Sequence, residues 1–138
     1  MPTLNDTVPE AGAGGVTPVF RVEGSGNERL AIDAAGNVSI KGNGMLFLNF
    51  GDEARAQSYL ARRLADPRYT DSVLKTFTVP SSYVDMLRAS AVPERLAGTY
   101  SDSPLVVDRE FADQFGLRAS HFPDLLGNII PGSGGTRP

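Results

Sequence analysis

The chemistry open to this chain rests on one histidine, a set of arginines and a short row of hydroxyls. His121 is the single histidine and the only side chain whose ordinary pKa lies near neutrality, which makes it the candidate general acid or base. It stands beside a predicted helix start, where a histidine commonly caps the helix or faces solvent, and that role stays open. Of the 13 basic residues only Lys41 and Lys75 are lysines. The planar fork of the remaining arginines suits bidentate contacts to phosphate or carboxylate, although a genome favouring arginine codons explains the bias equally well. Arg21 and Arg29 stand out because an arginine on a strand with apolar residues on both faces needs a partner for its charge. That partner is either an anionic ligand or one of the chain's own 16 acids. Lys75, Thr76 and Thr78 fall on a predicted strand, with the two threonines on one face and Lys75 on the other. A hydroxyl row beside arginines can bind phosphate, and it can equally express β propensity alone. Asp108 and Glu110 present both carboxylates on one face if a strand continues to 110, or act as a helix cap and first-turn acid if it does not.

Other chemistries are excluded. The chain has no cysteine, hence no disulfide framework, thiol nucleophile or thiolate metal site, and one histidine cannot build the usual multi-histidine zinc site. There is no Walker phosphate loop, dinucleotide glycine fingerprint or nucleophile elbow. Gly24-Ser-Gly-Asn27 and Gly132-Ser-Gly-Gly135 read as a turn and a tail. The net charge of -3 argues against a nonspecific nucleic-acid binder while leaving room for a local basic cleft.

The elements that must position these residues are organised around residues 45 to 64. Met45-Leu-Phe-Leu-Asn-Phe50 is an apolar run without alternation, the mark of a strand covered on both faces. Gly51 makes a turn and Asp52 caps a helix whose stripe is Ala56, Leu60 and Leu64. Arg62 and Arg63 close that helix, complementing its dipole before Asp66-Pro67 stops it. Upstream, Pro18-Val-Phe-Arg-Val-Glu23 reads as a strand. Leu30–Asp33 and Val38–Lys41 read as a hairpin around Gly36-Asn37. Downstream come a strand over Ser72–Val79 and a helix with Ser82 and Asp85 as a capping box. A short strand over Pro104–Val107, a helical turn pairing Phe111 with Phe115, and a last short helix carrying Phe122, Leu125 and Leu126 complete the order.

The expected fold is α+β: one small domain with a mixed or antiparallel central sheet, flanked by two main helices and short C-terminal helical turns. Residues 1–17 read as a flexible linker, 18–130 as the domain and 131–138 as a disordered tail. No stretch approaches the ~20 apolar residues of a membrane span, and the amino terminus lacks the basic and apolar regions of a signal peptide.

Val19-Phe-Arg-Val, Asn27-Glu-Arg29, Gly36-Asn-Val, Met45-Leu-Phe-Leu-Asn-Phe-Gly51, Arg55-Ala, Lys75-Thr-Phe-Thr-Val-Pro80 and Ile129-Ile-Pro-Gly-Ser-Gly together resemble the carboxy-terminal toxin domains of bacterial polymorphic toxins. Among these are the CdiA-type contact-dependent inhibitors and Rhs proteins. The likeness spans residues 18 to 134 and makes 18–130 a toxin-like catalytic domain. It implies an antibacterial effector secreted as part of a larger protein, acting in the cytoplasm of the target bacterium and neutralised by a cognate immunity protein. The first activity it implies is a metal-free, cofactor-independent ribonuclease cleaving tRNA or other RNA. There the 2′-hydroxyl is the nucleophile, and His121, Arg21, Arg29, Lys75 and Thr76 surround the scissile phosphate. The alternative it implies is an ADP-ribosyltransferase, with Arg21 gripping NAD and Glu110 on the ribose. Phe47-Leu-Asn49 departs from the Ser-Thr-Ser-like strand of that family. A non-enzymatic binding module, with Arg21 in an ion pair, is the third reading.

Overall fold

The computed structural model describes residues 15–89, 91–93, 105–107 and 114–137. In chain order these form β1 (Val16–Glu23), a hairpin of β2 (Leu30–Ile32) and β3 (Val38–Ile40), β4 (Leu46–Phe50), α1 (Glu53–Leu64) and a 3-10 turn (Pro67–Tyr69). They continue with β5 (Val73–Pro80), α2 (Ser81–Ala89), β6 (Val92–Pro93), β7 (Leu105–Val107), β8 (Gln114–Leu117), a 3-10 turn (Ala119–His121), α3 (Phe122–Asn128) and β9 (Gly135–Arg137). Seven strands make one sheet in the order β9-β5-β1-β4-β8-β7-β6, and β2-β3 stand apart. Every pairing in the large sheet is antiparallel except β6 with β7. The α+β expectation holds, and no helix among the described residues is long and apolar enough to cross a membrane.

Alternation along β1 sorts the core into two halves. Phe20 and Val22 share a cluster with Leu74 of β5 and with Ala56 and Leu60 of α1. Val19 belongs to the larger cluster on the other face, with Leu48, Phe77, Tyr83 and Leu87 of α2, Phe122 and Leu125 of α3, and Leu30 of the hairpin. The sheet is thus sandwiched, with α1 on one side and α2, α3 and the hairpin on the other. Asp52 caps α1 as its carboxylate accepts from the Arg55 amide at 3.0 Å, with Glu53 in the first turn and Arg62 and Arg63 in the last.

Several boundaries move. The linker ends earlier, because Val16 and Thr17 already pair with Pro80 and Val79; residues 1–14 lie outside the described part. Leu64 leaves the stripe and is 41% exposed, since the helix ends before another turn can reach the sheet. α2 begins at Ser81, so Ser82 sits inside the first turn rather than capping it. Phe115 is a strand residue opposite Leu48 and packs its ring 5.7 Å from Phe50; its proposed partner Phe111, with Asp108 and Glu110, lies outside the described residues.

Within the expected disordered tail of 131–138, the described residues 131–137 are instead structural. Gly135–Arg137 pair with Leu74–Thr76 along the free edge of β5. Ser133 Oγ accepts from the Thr78 amide at 3.0 Å, and the Gly134 amide donates to the Gly36 carbonyl at 2.9 Å. An edge strand with unpaired amides recruits whatever chain is near, and here glycines let that chain lie flush. Gly36 adopts φ +83, and a Cβ there would lie 2.5 Å from the Gly132 carbonyl oxygen. Gly36→Ala therefore combines a left-handed backbone with a backbone clash and should cost about 3 kcal/mol in urea unfolding. Gly26→Ala, where no atom approaches within 4 Å, should be close to neutral; equal effects of the two would remove the hairpin-to-tail contact as a stabilising element.

Candidate functional site

A carboxylate that folding buries must collect donors, and Glu23 does so at the end of β1. It is 1% exposed. Arg21 Nε lies 2.5 Å from its Oε2 and Lys75 Nζ 2.8 Å from its Oε1. The amides of Arg29 and Leu30 donate to Oε2 at 2.9 and 3.1 Å. Lys75 further pairs with Glu28 at 3.2 Å and donates to the Leu30 carbonyl.

This arrangement decides the standing of the sequence candidates. Arg21 and Lys75 come together, on the face predicted for Lys75, but around a carboxylate of the chain itself. Arg29 spends its fork on the carbonyls of Lys41, Gly44 and Met45, closing the loop between β3 and β4, and its guanidinium lies 6.0 Å from the ring centroid of Phe122. Thr76 is buried and shares its face of β5 with Leu74, away from Lys75. His121, with its side chain 28% exposed, ends the 3-10 turn that leads into α3. It makes no side-chain cap; its Nδ1 lies 3.9 Å from Asp124 Oδ2. Nearby on α2, the Tyr83 hydroxyl is the one buried side-chain polar atom without a hydrogen-bond partner among the described residues. Burial, and then the Asp124 charge, push its pKa up to about 12. His121, Asp124 and Tyr83 thus belong to the layer of α2 and α3.

The cleft that does contain a sequence candidate lies at the seam between β1 and β4. These strands pair only at Val19↔Phe50 and Phe20↔Asn49, while β1 pairs with β5 along its whole length. Past Phe20 the strands part and the Arg21 fork enters the gap. Its Nη1 donates to the Phe47 carbonyl at 3.0 Å and its Nη2 to the Asn27 carbonyl at 3.3 Å. With Nε on Glu23, three of the five N–H groups of a guanidinium are used. The resulting cavity of about 240 Å³ is lined by Phe20, Arg21, Val22, Asn27, Phe47, Asn49, Arg55, Ala56 and Tyr59. Two guanidinium groups, two carboxamides and a phenol ring along apolar walls form a surface for a planar, anionic ligand. Asn49 is the positioning residue: its Nδ2 donates to the Asp52 carbonyl and its Oδ1 accepts from the Asp52 amide, both at 2.9 Å. It thereby fixes where α1 starts and where Arg55 and Tyr59 stand. Among the described residues no group of three or more His, Asp and Glu side chains can hold a metal ion.

Glu23, Asn49, Arg55 and Tyr59 were not among the sequence candidates. Asn49 did carry a signal, as the one polar residue in an apolar run, and Glu23 another, two positions from Arg21 on the same face. Arg55 and Tyr59 carried none beyond their spacing of four on α1. Comparison of the chain with family models, curated proteins and solved structures found no match.

Two measurements check this account. Glu23→Ala leaves Arg21 and Lys75 buried against an empty place and should cost about 3–5 kcal/mol in urea unfolding; a loss no larger than that of a surface glutamate would overturn the hub. For Tyr83, absorbance titration should show one phenol ionising late, near 12, and Tyr83→Phe should remove that component. Because the unfolded chain releases this proton from an ordinary value of 10.0, the contribution is present below 10 and lost as the pH rises through about 12.

Proposed function

We propose that this domain is an NAD-consuming ADP-ribosyltransferase effector of the toxin type, with its nucleotide held in the cleft between β1, β4 and α1. One observation carries the reading: Arg21, the residue expected to grip NAD, lines a single cavity together with Phe47, Asn49, Arg55 and Tyr59. Arg21 retains two N–H groups, and with Arg55 it suits a pyrophosphate. The rings of Phe47 and Tyr59 supply flat surfaces for nicotinamide or adenine, and Asn27 a carboxamide for the polar edge. Phe47-Leu-Asn49 replaces a hydroxyl-bearing strand, so aromatic packing takes over the place of hydroxyl contacts.

In the reaction the bond between nicotinamide nitrogen and ribose C1′ breaks. Its electron pair leaves with the ring, which becomes neutral. An acceptor nucleophile bonds to C1′ and gives up its proton. The acid expected to steady the ribose, Glu110, lies outside the described residues. The strand that follows it, β8, pairs with β4 and sets Gln114 opposite Asn49, beside the cleft. The ribonuclease reading has less support from the geometry. It needs a base and several cations at one phosphate, whereas Lys75 serves Glu23 and Glu28, Arg29 holds the carbonyls of Lys41 and Gly44, and His121 stands in the layer of α3 on the other face of the sheet.

As a toxin the domain travels within a larger secreted effector, acts in the cytoplasm of the target bacterium and is blocked by an immunity protein. That partner is acidic where it meets the arginine-lined cleft.

Nicotinamide release from NAD by the purified domain tests the reading, with calorimetric NAD binding as the second readout. Arg55→Ala should weaken NAD binding by about one power of ten, and Arg21→Lys, which keeps the charge on Glu23 but loses the fork, by about one to two. Melting curves should stay near wild type for Arg55→Ala. A folded wild-type domain that neither binds NAD nor releases nicotinamide would reject the proposal.

A further inference from the structure

The nucleotide cleft has a neighbour. A second cavity, of about 550 Å³, is walled by Gly24, Ser25, Gly26, Asn27, Arg63, Arg68, Tyr69, Thr70 and Asp71, and Asn27 lines both cavities. Along the ridge joining them the arginines lie on tyrosine rings. Arg62 stands 5.5 Å from the Tyr59 centroid, and Arg63 4.1 Å and Arg68 5.0 Å from that of Tyr69. Tyr59, the ring under Arg62, also lines the nucleotide cleft.

We infer that this arginine–tyrosine ridge binds single-stranded nucleic acid and presents it to the adjoining cleft. An arginine plane backed by a ring offers a base a stacking surface and a phosphate its N–H edge, the combination that grips unpaired strands without reading sequence. Neither Arg62 nor Arg63 lies within ion-pair distance of a carboxylate among the described residues; Arg63 Nε donates instead to Ser72 Oγ at 3.2 Å. The two acids at hand have other partners besides the nearby charge of Arg63. Asp66 takes a two-pronged contact from Arg68, and Asp71 accepts from the Ser25 amide at 2.9 Å. The glycine loop is held tight as the second wall: the Gly24 amide donates to Asn27 Oδ1 at 2.8 Å, and a Cβ on Gly24 would meet Asp71 Oδ1 at 2.6 Å. An acidic polypeptide would satisfy the charge but leave the stacked planes without use, and in a duplex the bases are already stacked on one another. Binding of the strand stands by itself; its role as the acceptor of ADP-ribose rests on the transferase reading.

The test uses fluorescence anisotropy with labelled RNA and DNA strands of about 12 nucleotides, enough to span both cavities. A site neutralising three phosphates should lose roughly twentyfold in affinity between about 50 and about 200 mM salt. Arg62→Glu, a change at an exposed position, and the double variant Arg63→Ala/Arg68→Ala should each weaken binding at least about tenfold. Calorimetric NAD binding by both should remain unchanged. Should the double variant melt early, Arg62→Glu alone decides. The inference is overturned if the folded wild type binds neither strand at low salt, if Arg62→Glu binds as the wild type does, or if polyglutamate competes as well as RNA. Strand binding that behaves as stated while NAD binding fails upholds the ridge and rejects the transferase.

Discussion

The Glu23 carboxylate is taken out of water at the point where β1 ends, and both the docking of the hairpin and the opening of the seam between β1 and β4 follow from what is needed to keep it there. An isolated buried carboxylate is strongly unfavourable, and pairing alone seldom offsets the desolvation of both partners. Here two cations and two backbone amides converge on it, the degree of satisfaction that such a group requires. The four donors come from three pieces of chain: Arg21 from β1, Lys75 from β5, and the Arg29 and Leu30 amides from the entrance of the hairpin. Meeting the needs of one side chain therefore docks the hairpin on the sheet.

The same cluster explains why the sheet opens where it does. With Nε committed to Glu23, the Arg21 fork can reach only into the gap between β1 and β4, where it takes the Phe47 and Asn27 carbonyls. It substitutes for ladder hydrogen bonds that the two strands would otherwise exchange. A seam held apart by a guanidinium is both an interruption of the sheet and a cavity with a cation at its base, so the cavity is a by-product of how the carboxylate is satisfied. On the α1 side, Arg137 of the edge strand reaches Glu53 and lies 5.8 Å from the Phe20 ring centroid, bracing the helix that forms the opposite wall.

Much of the architecture was legible because local physics specified it. The run Met45–Phe50 could only be a central strand. Asp52 and the closing arginines bounded α1, and Gly36 marked the hairpin. What escaped was decided by distant partners. Nothing local distinguishes a glycine-rich tail that wanders from one that seals the edge of β5, since the difference lies in Gly36 and Thr78, far away in the chain. Phe115 looked helical beside Phe111 until pairing with Leu48 is considered. Among the site candidates, Arg21 and Arg29 were singled out because a charge on an apolar strand needs a partner, and Lys75 because it shared a strand with a row of hydroxyls. All three find partners within the chain, and composition does not say whether an anion comes from the chain or from outside.

That ambiguity also bears on the net charge of -3, which at first sight disfavours a polyanion as partner. Net charge counts every acid equally, whereas a ligand meets only those that project an unbalanced field. Glu23 is buried between two cations, Glu28 lies against Lys41 and Lys75, and Asp66 has its pKa drawn down to about 2, chiefly by its hydrogen bonds with Arg68. Each of these three is matched by a cation, whereas Asp71 beside the ridge is held by the Ser25 amide and by the nearby charge of Arg63. Arg62 and Arg63 lie over rings rather than in ion-pair contact with carboxylates, and Arg63 shares its field with Asp66 and Asp71, which leaves Arg62 the larger part in the local potential. An acidic domain presents a cationic face where its acids are internally answered and its arginines are supported by tyrosines, and on this chain those two conditions coincide beside the seam that Glu23 opens.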